Sequence, residues 1–254
     1  MVKTVSKWLL RPLFANSKVR AFFKQETQRH FVSYPKSGRS WIRYILVQLG
    51  VEKEISFHHD GFEFSDYPKG PHNFNLDDRL LQYSQVEKLV YLERDPRDVM
   101  VSLYFQITGR WRDVYQYQGS MSEFLRDGYF GARNLKFFRQ MWSEIIERRN
   151  FLKVTYEDCH QDIENTMRAI LGYYGFVVDE SRLVESIGNA DFGKMKELER
   201  SGTFPEPWLR LMNNAPKVRQ GLIGGYRDAL SEDDIAYLNG VFGDWFGVLV
   251  PLAT

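Results

Sequence analysis

A chain of 254 residues is long enough to bury one sizeable core. Its 34 Lys and Arg stand against 33 Asp and Glu, so the chain as a whole carries no field that would seek nucleic acid or an anionic membrane. With 43% apolar and 26% charged residues it has the balance of a soluble globular protein, and no stretch approaches the roughly 20 apolar residues of a membrane span.

Residues 1–28 scatter Trp8, Leu9, Leu10 and Phe14 among Lys and Arg, without the apolar core or small-residue cleavage site of a secretory leader. We read them as a peripheral amphipathic segment packed on the domain, with attachment to a membrane surface as the alternative. No repeat, low-complexity tract or linker follows, so residues 29–254 are expected to form one domain. Cys159 is the only cysteine, which excludes an intrachain disulfide and agrees with a reducing, cytoplasmic compartment. Nothing in the sequence indicates a homodimer.

The run HFVSY at 30–34 predicts a first strand. It enters PKSGRSW, a loop containing Lys36 and Gly38, and then a helix expected over 40–49. EISFHH at 54–59 predicts the second strand and KLVYLE at 88–93 the third. Arg94 ends the third run. Asp95, Pro96 and Asp98 then suit the N-cap, the first helical position and a capping arrangement of a helix over 96–106. A helix over 132–149, a strand over 151–156 (FLKVTY) and a helix over 158–174 follow. From about 179 the chain reads as helix and loop, with a glycine cluster KVRQGLIGGYRD at 217–228 and an apolar closing helix.

Strand, loop, helix and strand in succession predict an α/β fold, a single domain with a central parallel β-sheet flanked by helices. Ligands of such sheets sit beyond the carboxyl ends of the strands. Residues 36–40, His58 to Asp60, Arg94 and Tyr156 all fall at predicted strand ends. The first loop is P-loop-like but departs from the Walker pattern, because Lys36 precedes the single glycine. Gly38 permits close backbone approach to an anion, the helix N-terminus adds free amides, and Lys36 adds a full charge.

Taken together, YPKSGRSW and RDPRDVMVS resemble the 5′-phosphosulfate loop and the 3′-phosphate motif of the sulfotransferases that use 3′-phosphoadenosine 5′-phosphosulfate (PAPS), of the soluble, cytosolic type. The resemblance runs from about residue 29 to 230. It implies that Lys36, Ser37, Gly38, Arg39, Ser40 and Trp41 cradle the phosphosulfate, with Trp41 against the adenine, and that Arg94 and Ser102 hold the 3′-phosphate. VTYEDC and ADFGKM are similar to segments that make Tyr156 and Phe192 adenine contacts, where core packing is the competing reading. The third motif, R-K-G-x-x-G-D-W, is partly present as RQGLIGGY: Arg219 and Gly221 match, Gln220 replaces lysine, and Gly225-Tyr226 replace Asp-Trp. Arg39 and Ser40 replace two threonines in the first loop. The cationic charge is therefore redistributed rather than lost.

Sulfuryl transfer needs a base for the acceptor hydroxyl, and histidine has the suitable pKa. His58 and His59 stand at the second strand end. His72 has the family's spacing to Arg94 but lacks a strand before it. Strand context selects His59. The acceptor is expected to be a small molecule, sugar or lipid, and the segments 60–75, 104–130 (with the aromatics Phe105, Trp111, Tyr115, Tyr117 and Tyr129) and 200–218 are expected to form loops over the site. The resemblance implies no metal. Two rivals remain: a P-loop-type nucleotide kinase or other phosphotransferase, and a non-catalytic protein that binds 3′,5′-ADP.

Overall fold

Four apolar runs pair into one sheet: β1 (Arg29–Ser33), β2 (Ser56–His58), β3 (Lys88–Glu93) and β4 (Leu152–Thr155). The computed structural model describes residues 28–62, 64 and 75–243. The order is β2-β1-β3-β4 and every pair is parallel, with His30 opposite Ser56, Val32 opposite Tyr91, and Leu92 opposite Val154. A parallel strand covered on both faces must be apolar along its length. β3 meets this over four consecutive buried residues from Leu89 to Leu92, and Glu93, also buried, ends the strand.

Successive side chains of a strand point to opposite faces, and the core divides accordingly. Phe31, Val90, Leu92 and Val154 pack on one face against α1 (Arg39–Leu49), and with residues such as Met167 and Ile170 on a later helix. Val32, Leu89 and Tyr91 pack on the other face with Phe138 and Trp142. Trp142 is fully buried and stacks on Tyr91 with ring centroids 5.7 Å apart.

The remaining helices in chain order are α2 (Leu76–Gln82), α3 (Pro96–Phe105), α4 (Arg112–Tyr115), α5 (Met121–Arg126), α6 (Ala132–Arg149), α7 (Tyr156–Gln161), α8 (Ile163–Tyr174), α9 (Glu180–Asn189), α10 (Phe192–Ser201) and α11 (Glu232–Phe242). Asp95 caps α3 by accepting from the Arg97 amide, with Pro96 in the first turn, as expected. Three expectations shift. The second strand starts at Ser56, because Glu52–Glu54 first form a 3-10 turn. The helix expected over 158–174 divides at Asp162, whose carboxylate accepts from the Asn165 amide and starts α8. The loop expected over 104–130 holds a π-helical turn (Gln106–Arg110) followed by α4 and α5.

Save for Gln28, the peripheral segment expected over 1–28 lies outside the described residues, as do His72 and the chain beyond Gly243. No helix among the described residues is long and apolar enough to cross a membrane.

A buried ion cluster closes β3. Glu93 accepts from Arg139 Nε at 2.9 Å and pairs with Lys153 Nζ, while Arg139 and Glu93 are 1% and 3% exposed. Removing one partner of such a pair strands the other charge in a poor solvent. Arg139→Met is expected to lower unfolding stability by ~3 kcal/mol in urea titration, and adding Glu93→Gln to recover part of that loss.

Candidate active site

The carboxyl ends of β1 and β3 and the N-termini of α1, α7 and α10 border a single cavity of about 920 Å³. Its floor is the first loop. Lys36 holds a left-handed backbone at φ 74° and Gly38 one at φ 98°. A Cβ on Gly38 would lie 2.4 Å from the Tyr156 ring, so only glycine lets this turn sit on that aromatic. No side chain caps α1, which leaves its first amides to a ligand. Lys36, Gly38, Arg39, Ser40 and Trp41 line the cavity. Ser37 does not; it is buried, and its amide closes the turn by donating to the Tyr34 carbonyl.

Arg94 leaves the end of β3 and reaches across two loops. Its Nη2 donates to the Leu222 carbonyl at 2.8 Å and its Nη1 to the Lys36 carbonyl at 3.4 Å, with the guanidinium 4.2 Å from the centre of the Tyr156 ring. Its Nε is buried without a hydrogen-bond partner, as is Arg219 Nε. Ser102, Arg219, Gln220 and Gly221 share the same wall. A Cβ on Gly221 (φ 68°) would lie 2.6 Å from Phe192, and Tyr156 donates its hydroxyl proton to the Gly221 carbonyl at 3.2 Å. The first and third loops thus each rest a glycine on an aromatic side chain.

Asp98 has a different task from the capping expected of it. Its two oxygens accept from the amides of Gly224 and Tyr226 at 2.8 and 2.9 Å, which anchors the glycine-rich turn to α3. Burial raises its pKa, opposed by Arg94 3.7 Å away. Trp41, Tyr156, His160 and Phe192 form an aromatic slot beside this turn. Tyr156 is buried, whereas Phe192 is 37% exposed and faces the cavity rather than the core.

At the other end lie Lys36 and His59. Burial, then the charges of Arg110 and Arg94, push the Lys36 ammonium pKa down to about 7. Its Nζ donates to the Lys217 carbonyl at 3.4 Å. His59 Nδ1 lies 2.7 Å from the Ser33 carbonyl, which can only accept, so Nδ1 carries the proton and Nε2 a lone pair. That lone pair accepts from Arg39 Nη2 at 2.7 Å. Burial first and then the Arg39 guanidinium hold the His59 pKa well below the ordinary histidine value. His58 points the other way, 3.1 Å from the His30 ring nitrogen and stacked on Tyr83, as strand alternation requires.

Much of the remaining lining is apolar and aromatic, with Phe64, Phe105, Trp111, Val114, Trp208 and Met212 prominent, and Phe105 lies 4.8 Å from the Arg219 guanidinium. Tyr115 joins it, while Tyr117 and Tyr129, expected over the site, pack against Phe130 instead. Sequence reading passed over His160, Arg110, Glu199 and Lys217. Arg110 and Glu199 are both buried and form an ion pair at 2.9 Å, 89 residues apart, which no local pattern announces. Among the described residues no group of three or more His, Cys, Asp or Glu is arranged to hold a metal ion.

Residues 27–249 match the family described as the sulfotransferase domain. Sulfotransferase 2B1 of Homo sapiens is 26% identical over 222 residues, covering 78% of this chain and 60% of that protein. Sulfotransferase 2A1 of Homo sapiens is 25% identical over 231 residues, covering 78% and 76%. The match therefore spans less than two thirds of the first relative's length and about three quarters of the second's. The crystal structure of mouse sulfotransferase SULT7A1 complexed with PAP has the same fold, with a TM-score of 0.62 at 19% identity over 87% of this chain and 84% of that one. The parallel four-stranded sheet and the family match over most of its length make this chain a member of the sulfotransferase domain family.

Proposed function

We propose that this chain transfers the sulfuryl group of PAPS to a hydroxyl (or amine) of a small-molecule acceptor with an apolar body. The observation that carries this reading is the joint made by Arg94, which bonds the first loop at Lys36 and the third at Leu222 across one cavity. A 3′-phosphate suits the buried Nε atoms of Arg94 and Arg219, which have donors to offer. A 5′-phosphosulfate suits Lys36 and the uncapped N-terminus of α1, and a purine suits the aromatic lining made by Trp41, Tyr156 and Phe192. Lys36 and Arg94 stand in segments that resemble the PAPS loops, and apolar side chains share the cavity with them, which suits an apolar acceptor. Cytoplasmic placement agrees with Cys159, a buried thiol whose pKa burial raises to about 12, so that it stays protonated and inert.

The acceptor oxygen forms its bond to sulfur as the bond from sulfur to the bridging oxygen breaks. That electron pair stays on the 5′-phosphate of 3′,5′-ADP. Negative charge grows on the bridging oxygen in the transition state, where Lys36 neutralises it most strongly. The hydroxyl proton goes to His59 Nε2 in this reading. Arg39 must first leave that lone pair, and an anionic phosphosulfate is the stronger acceptor because it sets opposite full charges against each other where His59 offers a neutral lone pair.

Radiolabelled PAPS offered with a panel of apolar alcohols is expected to yield a labelled sulfate ester and 3′,5′-ADP. Turnover of ATP with magnesium while PAPS is ignored would overturn the reading, as would stabilisation by 3′,5′-ADP with no transfer to any acceptor.

Three outcomes test the roles. The free chain holds Lys36 near a pKa of about 7, and a bound anion raises it, so binding takes up a proton above neutrality. Affinity for 3′,5′-ADP is therefore expected to fall from pH 7 to 9, with proton uptake visible by calorimetry in two buffers; Lys36→Arg should flatten that dependence. Arg219→Gln is expected to weaken 3′,5′-ADP about tenfold and leave 5′-AMP unchanged. Arg94 is a poorer probe because it also joins two loops. His59→Ala should lower kcat by about a hundredfold or more at nearly constant 3′,5′-ADP affinity. Full activity in His59→Ala, with none in His72→Ala, would move the base to His72.

A further inference from the structure

Lys217 belongs to none of the motifs that align with the PAPS loops, yet it lines the cavity beside Lys36. Its backbone is held by the buried carboxylate of Glu199, which accepts from the Lys217 amide and from the Val218 amide at 2.9 Å. Glu199 is itself fixed by Arg110, whose Nη1 also donates to the Arg210 carbonyl at 2.7 Å. A 1%-exposed carboxylate thus clamps the segment that carries Lys217 over the site. The Lys36 ammonium donates to the carbonyl of Lys217 itself, so the two lysines flank one point.

Among the described residues the Lys217 ammonium is held by a carbonyl and a ring. Nζ donates to the Trp208 carbonyl at 2.8 Å and lies 5.4 Å from the centre of the Trp208 ring. No carboxylate among the described residues pairs with it; Glu199 spends its charge on Arg110 and on two amides. Burial, then the charges of Lys36 and Arg39, depress its pKa far below that of an ordinary lysine. A cation built into a cluster of cations is destabilising until an anion arrives.

We propose that Lys217 is a second catalytic lysine, whose ammonium turns from the Trp208 carbonyl onto the non-bridging oxygens of the transferring sulfuryl group, opposite Lys36. This inference rests on the PAPS reading above. The third motif has Gln220 where the pattern it resembles has a lysine, and Gln220 is solvent-exposed. Lys217, three residues earlier, places the charge at the sulfuryl end of the cosubstrate instead of the 3′ end. Sulfur keeps its non-bridging oxygens throughout the displacement, so Lys217 holds the moving group while Lys36 receives the leaving oxygen.

Titration calorimetry with PAPS and with 3′,5′-ADP separates the alternatives, because the two ligands differ only in the sulfuryl group. Lys217→Gln is expected to weaken PAPS about tenfold, to change 3′,5′-ADP less than about twofold, and to lower kcat, with Lys217→Arg recovering much of each loss. The unfolding midpoint of the unliganded chain should not fall, since the substitution removes a cation from a cluster of cations. Glu199→Gln supplies the contrast of a displaced loop and should weaken both ligands alike. Equal losses for both ligands in Lys217→Gln would overturn the proposal, and so would a change confined to the acceptor KM. If the unsubstituted chain binds neither ligand, the PAPS reading fails and this inference falls with it; if it binds both, only the role of Lys217 is at stake.

Discussion

Arg94 is the residue on which the site's geometry turns. It stands at the end of a strand buried on both faces, so its starting point is fixed by the sheet. From there one guanidinium satisfies carbonyls of two loops that lie 186 residues apart, at Lys36 and Leu222. Its plane also covers Tyr156. Each bond is worth little net, because water would supply it in the unfolded chain. Their joint effect is to give a loop after β1 and a loop before α11 the same reference point. Asp98, one turn further along α3, repeats the arrangement with the opposite sign by binding the amides of Gly224 and Tyr226.

The cost of this arrangement is electrostatic. Lys36, Arg39, Arg94, Lys217 and Arg219 all line one cavity, and burial first, then the charges of neighbouring cations, depress the pKa values of both lysines. Such a cluster is organised for an anion before the anion is present, which avoids rearranging donors at the moment of reaction. Where a cation is not needed at the ligand, the fold neutralises it: Arg110 pairs with Glu199, and Arg139 with Glu93. Arg94, which pairs with Asp98 at 3.7 Å, falls between the two groups: it faces the cavity and has a carboxylate beside it.

Much of this could be read from the chain because the signals are local. The apolar runs of β1 and β3, the cap at Asp95 and Pro96, and the lysine-glycine loop each occupy a few adjacent residues, and Arg94 drew notice because capping accounted for its neighbours but not for it. What escaped depends on contacts between distant segments. The Glu199–Arg110 pair, the anchoring role of Asp98 and the place of Lys217 in the cavity beside Lys36 have no periodicity or spacing to mark them. His58 and His59 fall between these cases. Alternation predicts that they diverge, but only the Ser33 carbonyl and Arg39 show which faces the cavity and which nitrogen carries the proton. Tyr117 and Tyr129 misled for a similar reason, since an aromatic in a connecting segment has the same composition whether it lines a site or fills a core.

The backbone of Lys36 carries one more lesson. Its φ of 74° is a conformation that glycine adopts freely and that a lysine adopts at a cost of about 1 kcal/mol. Nothing in the folding of this turn asks for a side chain there. By stability alone the position would drift to glycine, and a library selected only for thermal resistance should enrich that replacement while discarding the chemistry. Residue 36 is a place where the demands of folding and of the task can be told apart by the amino acid that occupies it.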